Sequence, residues 1–174
     1  MRVFKNISVA LIVLLFISCA HYSKREGENF ISFLHHADPA IASLMDDSIA
    51  YVVYPEVVKG GLGVGVAKGK GHVYEKGLLG YNLVGLSELT QVTAGLQAGA
   101  QTYSEAIFFE NEEAFARFKS GELSLSSNAS AAFFEHGKKV NLAYDNGVAV
   151  IIQKIDGLMG ELSIGGQKLS FQPL

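Results

Sequence analysis

Between Gly60 and Gly71 the chain reads Gly-Gly-Leu-Gly-Val-Gly-Val-Ala-Lys-Gly-Lys-Gly, and this run constrains the fold more than any other feature. Successive side chains of an extended strand point to opposite faces. Gly61, Gly63 and Gly65 therefore leave one face bare, while Leu62, Val64 and Val66 occupy the other. A strand face without side chains marks a close approach by another group. A second such segment runs from Thr93 to Tyr103, where Gly95, Gln97, Gly99 and Gln101 share one face and Ala94, Leu96, Ala98 and Ala100 share the other. Two readings fit: close packing or tight curvature on the flat side, as in a small barrel, or a surface that receives lipid or ligand.

The rest of the chain alternates helical and extended signals. Phe30, Ile31, Phe33 and Leu34 recur at helical spacing, and His35-His36 end that helix where positive charge is favourable. Asp38-Pro39 starts a second helix with an N-cap acid and a proline at its first position, directing Ile41, Leu44, Met45 and Ile49 to the core. From Ala50 the period is two, with β-branched and aromatic residues at Tyr51 to Tyr54 and Pro55 marking an edge or bulge. Asn111-Glu112-Glu113 opens a third helix that carries Phe115 and Phe118 and stops at Gly121. Strands are expected at 129–134, 147–154, 158–164 and 168–171, with turns at Asp145-Asn146-Gly147 and Gly165-Gly166. A length of 174 residues, 49% of them hydrophobic, supports one core. The expected class is α+β: a single domain with a curved antiparallel β-sheet or small barrel-like core, two N-terminal helices and one inserted helix.

The first residues read as an export signal. Arg2 and Lys5 precede an apolar run from Ile7 to Ile17, which fits the ~7–15 residues of a signal core and falls short of the ~20 needed to span a bilayer. Leu15-Phe16-Ile17-Ser18-Cys19 resembles a lipobox, with cleavage after Ser18 and a diacylglyceryl group on Cys19. Residues 1–18 are then signal, 19–29 an acylated cysteine and short tether, and 30–174 the domain. Such a chain is exported and lipid-anchored to a bacterial membrane. Ala20 lacks the aspartate that retains lipoproteins in the inner membrane, which favours the periplasmic face of the outer membrane. Cys19 is the sole cysteine, so no disulfide forms within the chain.

Several chemistries are excluded. Losing Arg2 and Lys5 with the signal takes the 14 basic residues to 12 against 17 acidic ones, a balance of about -5 that argues against nucleic acid. Gly69-Lys70 is followed by Gly71, where a nucleotide-binding loop needs a hydroxyl, and the dinucleotide fingerprint also fails at Val66 and Lys68. No G-x-S-x-G or H-E-x-x-H spacing occurs, and the adjacent acids Asp46-Asp47 and Glu112-Glu113 do not face a common point. No enzyme, cofactor or metal is therefore expected. What remains is a modest basic face in which Lys68, Lys70 and His72 alternate, with Lys59 nearby. These residues either converge on an anionic headgroup or are solvated lysines that protect an exposed edge from pairing.

Three blocks in order resemble the SYLF domain family. They are Ala50 to Gly71, with its A-x-x-x-x-P and G-K-G elements; Gly95 to Phe109, with G-x-Q-x-G-A-Q; and Val148 to Leu169, with Asp156-Gly157-Leu158-Met159-Gly160 and Gly166-Gln167-Lys168-Leu169. The resemblance implies a compact, curved β domain flanked by helices that binds acidic phospholipids. It supports a membrane-anchored envelope lipoprotein whose partners are anionic headgroups, with Lys59, Lys68 and Lys70 as the binding residues. Actin binding, known among eukaryotic members, does not transfer to an exported bacterial chain. The alternative is a structural or protein-interaction lipoprotein that meets other envelope proteins and has no specific lipid ligand.

Overall fold

The computed structural model describes residues 24–125, 131–135, 142–157 and 166–174. The signal at 1–18, Cys19 and the strand expected at 158–164 lie outside them. Two helices come first, α1 (Lys24–Ala37) and α2 (Pro39–Asp47). Asp38 caps α2, its side chain accepting from Ala40 N at 2.8 Å. α1 begins inside the stretch expected to be a tether. Gly27, Phe30 and Leu34 are buried at helical spacing, so the core-facing stripe starts one turn earlier than its first large apolar residue. A Cβ at Gly27 would stand 3.2 Å from Val53 Cγ1, and the missing side chain lets the helix lie close to the sheet.

That sheet is dominated by two long strands, β1 (Ala50–Gly77) and β2 (Gly80–Phe109), paired antiparallel around a turn at Leu78-Leu79. Register slips after Tyr54, beside Pro55, and again after Leu62 and Val73. At the second slip Gly63 has φ +73, and Gly99, which pairs with Gly61 across the ladder, has φ +123. These are left-handed conformations that L side chains rarely adopt. The strand bends so far that its second half lies against its first. A Cβ at Gly69 would be 2.8 Å from Val57 Cγ2, and one at Gly71 would be 2.7 Å from the Tyr54 ring. Tyr74 stacks on Tyr51 at 4.9 Å, and Lys76 N donates to Ile49 O at 2.7 Å. The sheet thus curls into a half-barrel, and at these positions the bare glycine face serves strand packing and curvature.

The far edge of β2 is shared. β5 (Val148–Gly157) pairs with residues 101–109, while β6 (Gln167–Leu169) and β7 (Gln172–Pro173) pair with residues between 85 and 91. β3 (Ser124–Leu125) continues beyond β6, and β4 (Ala131–Phe133) runs parallel to β5. The sheet is therefore mixed, not wholly antiparallel as expected. A parallel neighbour needs a long connection, and residues 134–147 supply it. Within that connection Asn146 and Gly147 both have positive φ, at 51° and 77°, and Asp145 and Val148 exchange hydrogen bonds of 2.9 and 3.0 Å. This is the Asn-Gly turn expected there. α3 (Glu112–Lys119) starts at Asn111, whose side chain accepts from Ala114 N at 3.0 Å, and gives way to Gly121 at φ +75.

Two apolar clusters follow from the two faces. Inside the curl, Val52, Tyr54, Ile107, Phe109 and Val150 pack with Phe115 and Phe118 of α3. Outside it, Tyr51, Val53, Phe108 and Ile151 pack beneath α1 and α2. Among the described residues no helix is long and apolar enough to cross a membrane.

Candidate functional site

Beyond the bulge at Pro55, the odd-numbered residues of β1 face into the curl and the even-numbered ones face out. Val57, Lys59, Ala67 and Val73 are buried, whereas Glu56, Val58, Leu62, Val64, Val66, Lys68 and Lys70 are exposed. Lys59 therefore points away from Lys68 and Lys70, and at 1% exposure it is part of the interior. The three lysines expected to share one headgroup do not converge, because a period of two separates position 59 from 68 and 70. His72 shares the outward face but is buried, and a Cβ on Gly27 of α1 would lie 3.9 Å from its Nδ1. Burial first, and Lys24 second, push its pKa down to about 4, so it is neutral near pH 7 and adds nothing to the basic face.

The outward face keeps Lys68, opposite Thr90, and Lys70, opposite Glu88. Among the described residues neither lysine forms a salt bridge; Lys24 at the start of α1 pairs with Glu28 at 3.4 Å. Continuing along the strand, Val66 lies opposite Val92 and Val64 opposite Ala94, then come Leu62 and Val58. Leu62 is 84% exposed, Val92 57% and Val64 56%. One face thus carries two lysines at the end of an apolar stripe.

Inside the curl a polar cluster sits in the core. Lys59 lies opposite Gln101, Ala67 opposite Gln91 and Tyr54 opposite Glu105. Gln167 of β6 reaches into it, its Nε2 donating to Glu105 Oε2 at 2.9 Å and approaching Gln91 Oε1 at 3.4 Å, while Tyr103 Oη donates to Gln91 Oε1 at 3.3 Å. Gln167 thereby ties two positions of β2 that the bend brings together. Burial pushes the Glu105 pKa up to about 8, against the opposing pull of the Gln167 hydrogen bond. At neutral pH the carboxyl is mostly protonated. Among the described residues Glu105 Oε1 and Gln167 Oε1 have no hydrogen-bond partner, and protonation gives the carboxyl a donor of its own. The Tyr54 and Tyr103 hydroxyls titrate far above their ordinary range, chiefly through burial.

This interior cluster escaped the sequence reading, although a signal existed. Gln101, Tyr103, Glu105, Ile107 and Phe109 share one parity on β2, and the last two are plainly core residues. Strict alternation places Glu105 beside them.

Residues 90–173 match the Ysc84 family, described as "Las17-binding protein actin regulator". Over this stretch the chain is similar to SYLF domains. No individual curated protein matches the chain. The SYLF match takes in Gln91, Gln101, Glu105 and Gln167, hence four members of the polar cluster, and starts after the β1 residues Lys59, Lys68 and Lys70.

Proposed function

We propose that this SYLF-domain chain is a lipid-anchored protein of the bacterial envelope that binds anionic phospholipid through Lys68 and Lys70. One observation carries the reading. The start of α1 lies on the outward face of β1 beside His72, two and four residues from Lys70 and Lys68. Cys19 precedes Lys24 by five residues, which extended span at most ~18 Å. An acyl group on Cys19 would hold the two lysines within reach of the surface it enters, where short-range attraction to headgroups acts despite a net negative chain. The family description names actin regulation; an exported chain meets phospholipid first, and two exposed lysines without a salt bridge among the described residues fit that partner.

The test removes the acyl chain and keeps the domain. A Cys19→Ser chain lacking residues 1–18 is sedimented with phosphatidylcholine vesicles with and without cardiolipin. Binding should require cardiolipin and weaken with salt. At ~1 kcal/mol for each lysine near an anionic surface, the Lys68→Gln/Lys70→Gln pair should weaken it about 30-fold. Indifference to cardiolipin at low salt would refute the reading. Mass spectrometry of the membrane-extracted protein should find a diacylglyceryl group on an N-terminal Cys19.

A further inference from the structure

We infer that the apolar stripe at the bend of β1 is seated in the hydrocarbon boundary of the bilayer, so that the domain lies with the outer face of its curl against the membrane. The inference rests on the membrane reading above and adds to it an orientation and a contact surface. Val58, Leu62, Val64 and Val66 of β1 and Val92 of β2 project from the same face and are all exposed. A sheet face turned to water ordinarily alternates to polar residues at these positions. Here the β1 positions from Val58 to Val66 stay apolar, and polar residues flank them, Glu56 and Thr102 on one side and Lys68, Thr90, Lys70 and Glu88 on the other.

The position of the anchor selects the occupant. The chain enters α1 on this same face, next to His72. From His72 the outward positions run through Lys70 and Lys68 to Val66 and Val64, eight residues or ~26 Å of strand. An acylated Cys19 five residues before Lys24 therefore pins one end of a face whose other end is apolar and whose middle carries the two lysines. That order, acyl anchor then basic rim then apolar patch, matches a surface lying along a bilayer interface. The polar cluster around Glu105 lies on the opposite face of the sheet and takes no part.

The chain contains no tryptophan, so one introduced indole reports its own surroundings. The lipidated protein carrying Leu62→Trp is reconstituted into phosphatidylglycerol vesicles, with Leu78→Trp at the hairpin turn as the comparison. Leu62 and Leu78 are both strongly exposed, and circular dichroism melts check that each variant keeps the parent's fold. The Leu62→Trp emission should shift to the blue in vesicles and be quenched by lipids brominated near the headgroup end of their chains, with Leu78→Trp showing neither change. An unshifted, unquenched Leu62→Trp in a protein that still requires Lys68 and Lys70 for binding overturns the orientation and leaves the membrane reading standing. Failure of the unacylated parent to bind cardiolipin vesicles removes the membrane reading itself. A concentration-dependent dimer of the unacylated chain that Leu62→Lys converts to monomer would assign the stripe to a second copy and overturn the inference.

Discussion

Glu105→Gln should stabilise this protein at neutral pH, by an amount set by where Glu105 sits. The side chain is fully buried, and its pKa is raised from 4.5 to about 8. Between those values the folded protein holds a proton that the unfolded chain has released. Stability from this group is then greatest below pH 4.5, falls as pH rises to about 8 and is flat above it. At 1.36 kcal/mol for each pH unit, burying Glu105 costs about 3 kcal/mol at pH 7, where it stays mostly neutral, and levels off at about 5 kcal/mol above pH 8, where it ionises within the fold. Glutamine has the same shape and no charge to suppress, and its carbonyl can still accept from Gln167 Nε2. Its amide nitrogen keeps a donor where the acid's hydroxyl stood but brings a second N–H that the buried cluster must satisfy, which subtracts ~1 kcal/mol at every pH. In thermal melts followed by circular dichroism, Glu105→Gln should therefore match or fall slightly below the parent near pH 5. At pH 8 it should exceed the parent by ~4 kcal/mol, roughly 8–16 °C in Tm for a domain of this size. Parallel profiles from pH 5 to 9, or a variant less stable than the parent at pH 8, would show that Glu105 is ionised in the fold and paired, and the reasoning would fail.

The seam between the halves of β1 is tested by Gly71→Ala, whose new Cβ would sit 2.7 Å from the Tyr54 ring. A loss of ~1–3 kcal/mol is expected, read as a lower urea midpoint at unchanged slope. Ser87 links Tyr54 Oη at 2.6 Å to Ser170 O at 2.6 Å; Ser87→Ala should cost ~1–3 kcal/mol by leaving a buried hydroxyl without its partner, and adding Tyr54→Phe should cost less than the two changes taken separately. Asn111→Ala should remove ~1 kcal/mol with the cap of α3, and Asn111→Asp should retain it, both measured by urea denaturation.

How much of this was legible in the sequence depends on the reach of each interaction. The Asp38-Pro39 start of α2, the Asn111 cap and the Asn146-Gly147 turn rest on groups a few residues apart, and each occurs as its residue types dictate. The start of α1 was displaced because Gly27 fills a core position without counting as apolar. The partners of Gly69 and Gly71 are Val57 and Tyr54, a dozen or more residues earlier on the same strand; bare faces announced a close neighbour without naming it. Parity along each strand carries part of the rest. It separates Lys59 from Lys68 and Lys70, and it places Glu105 with Ile107 and Phe109. His72 has the correct parity for the basic face and was lost from it through its cover by α1, which no pattern within β1 encodes.

The Gly69-Lys70-Gly71 element shows why the inner and outer faces belong to one design. The two glycines turn inward, where they admit Val57 and Tyr54 and let β1 fold against itself; Lys70, between them, is thereby directed outward. Curvature then does two things to the outer face. It leaves the bend at Leu62 to Val66 standing free of α1 and α2, which cover only the start and end of the strand, and it sets that bend in line with the lysines along one outward row. A straight hairpin of these residues would need a cover over its whole apolar row. The curled one needs it only at the bend, the part of the row that its helices leave uncovered, and a surface of lipid can supply that cover.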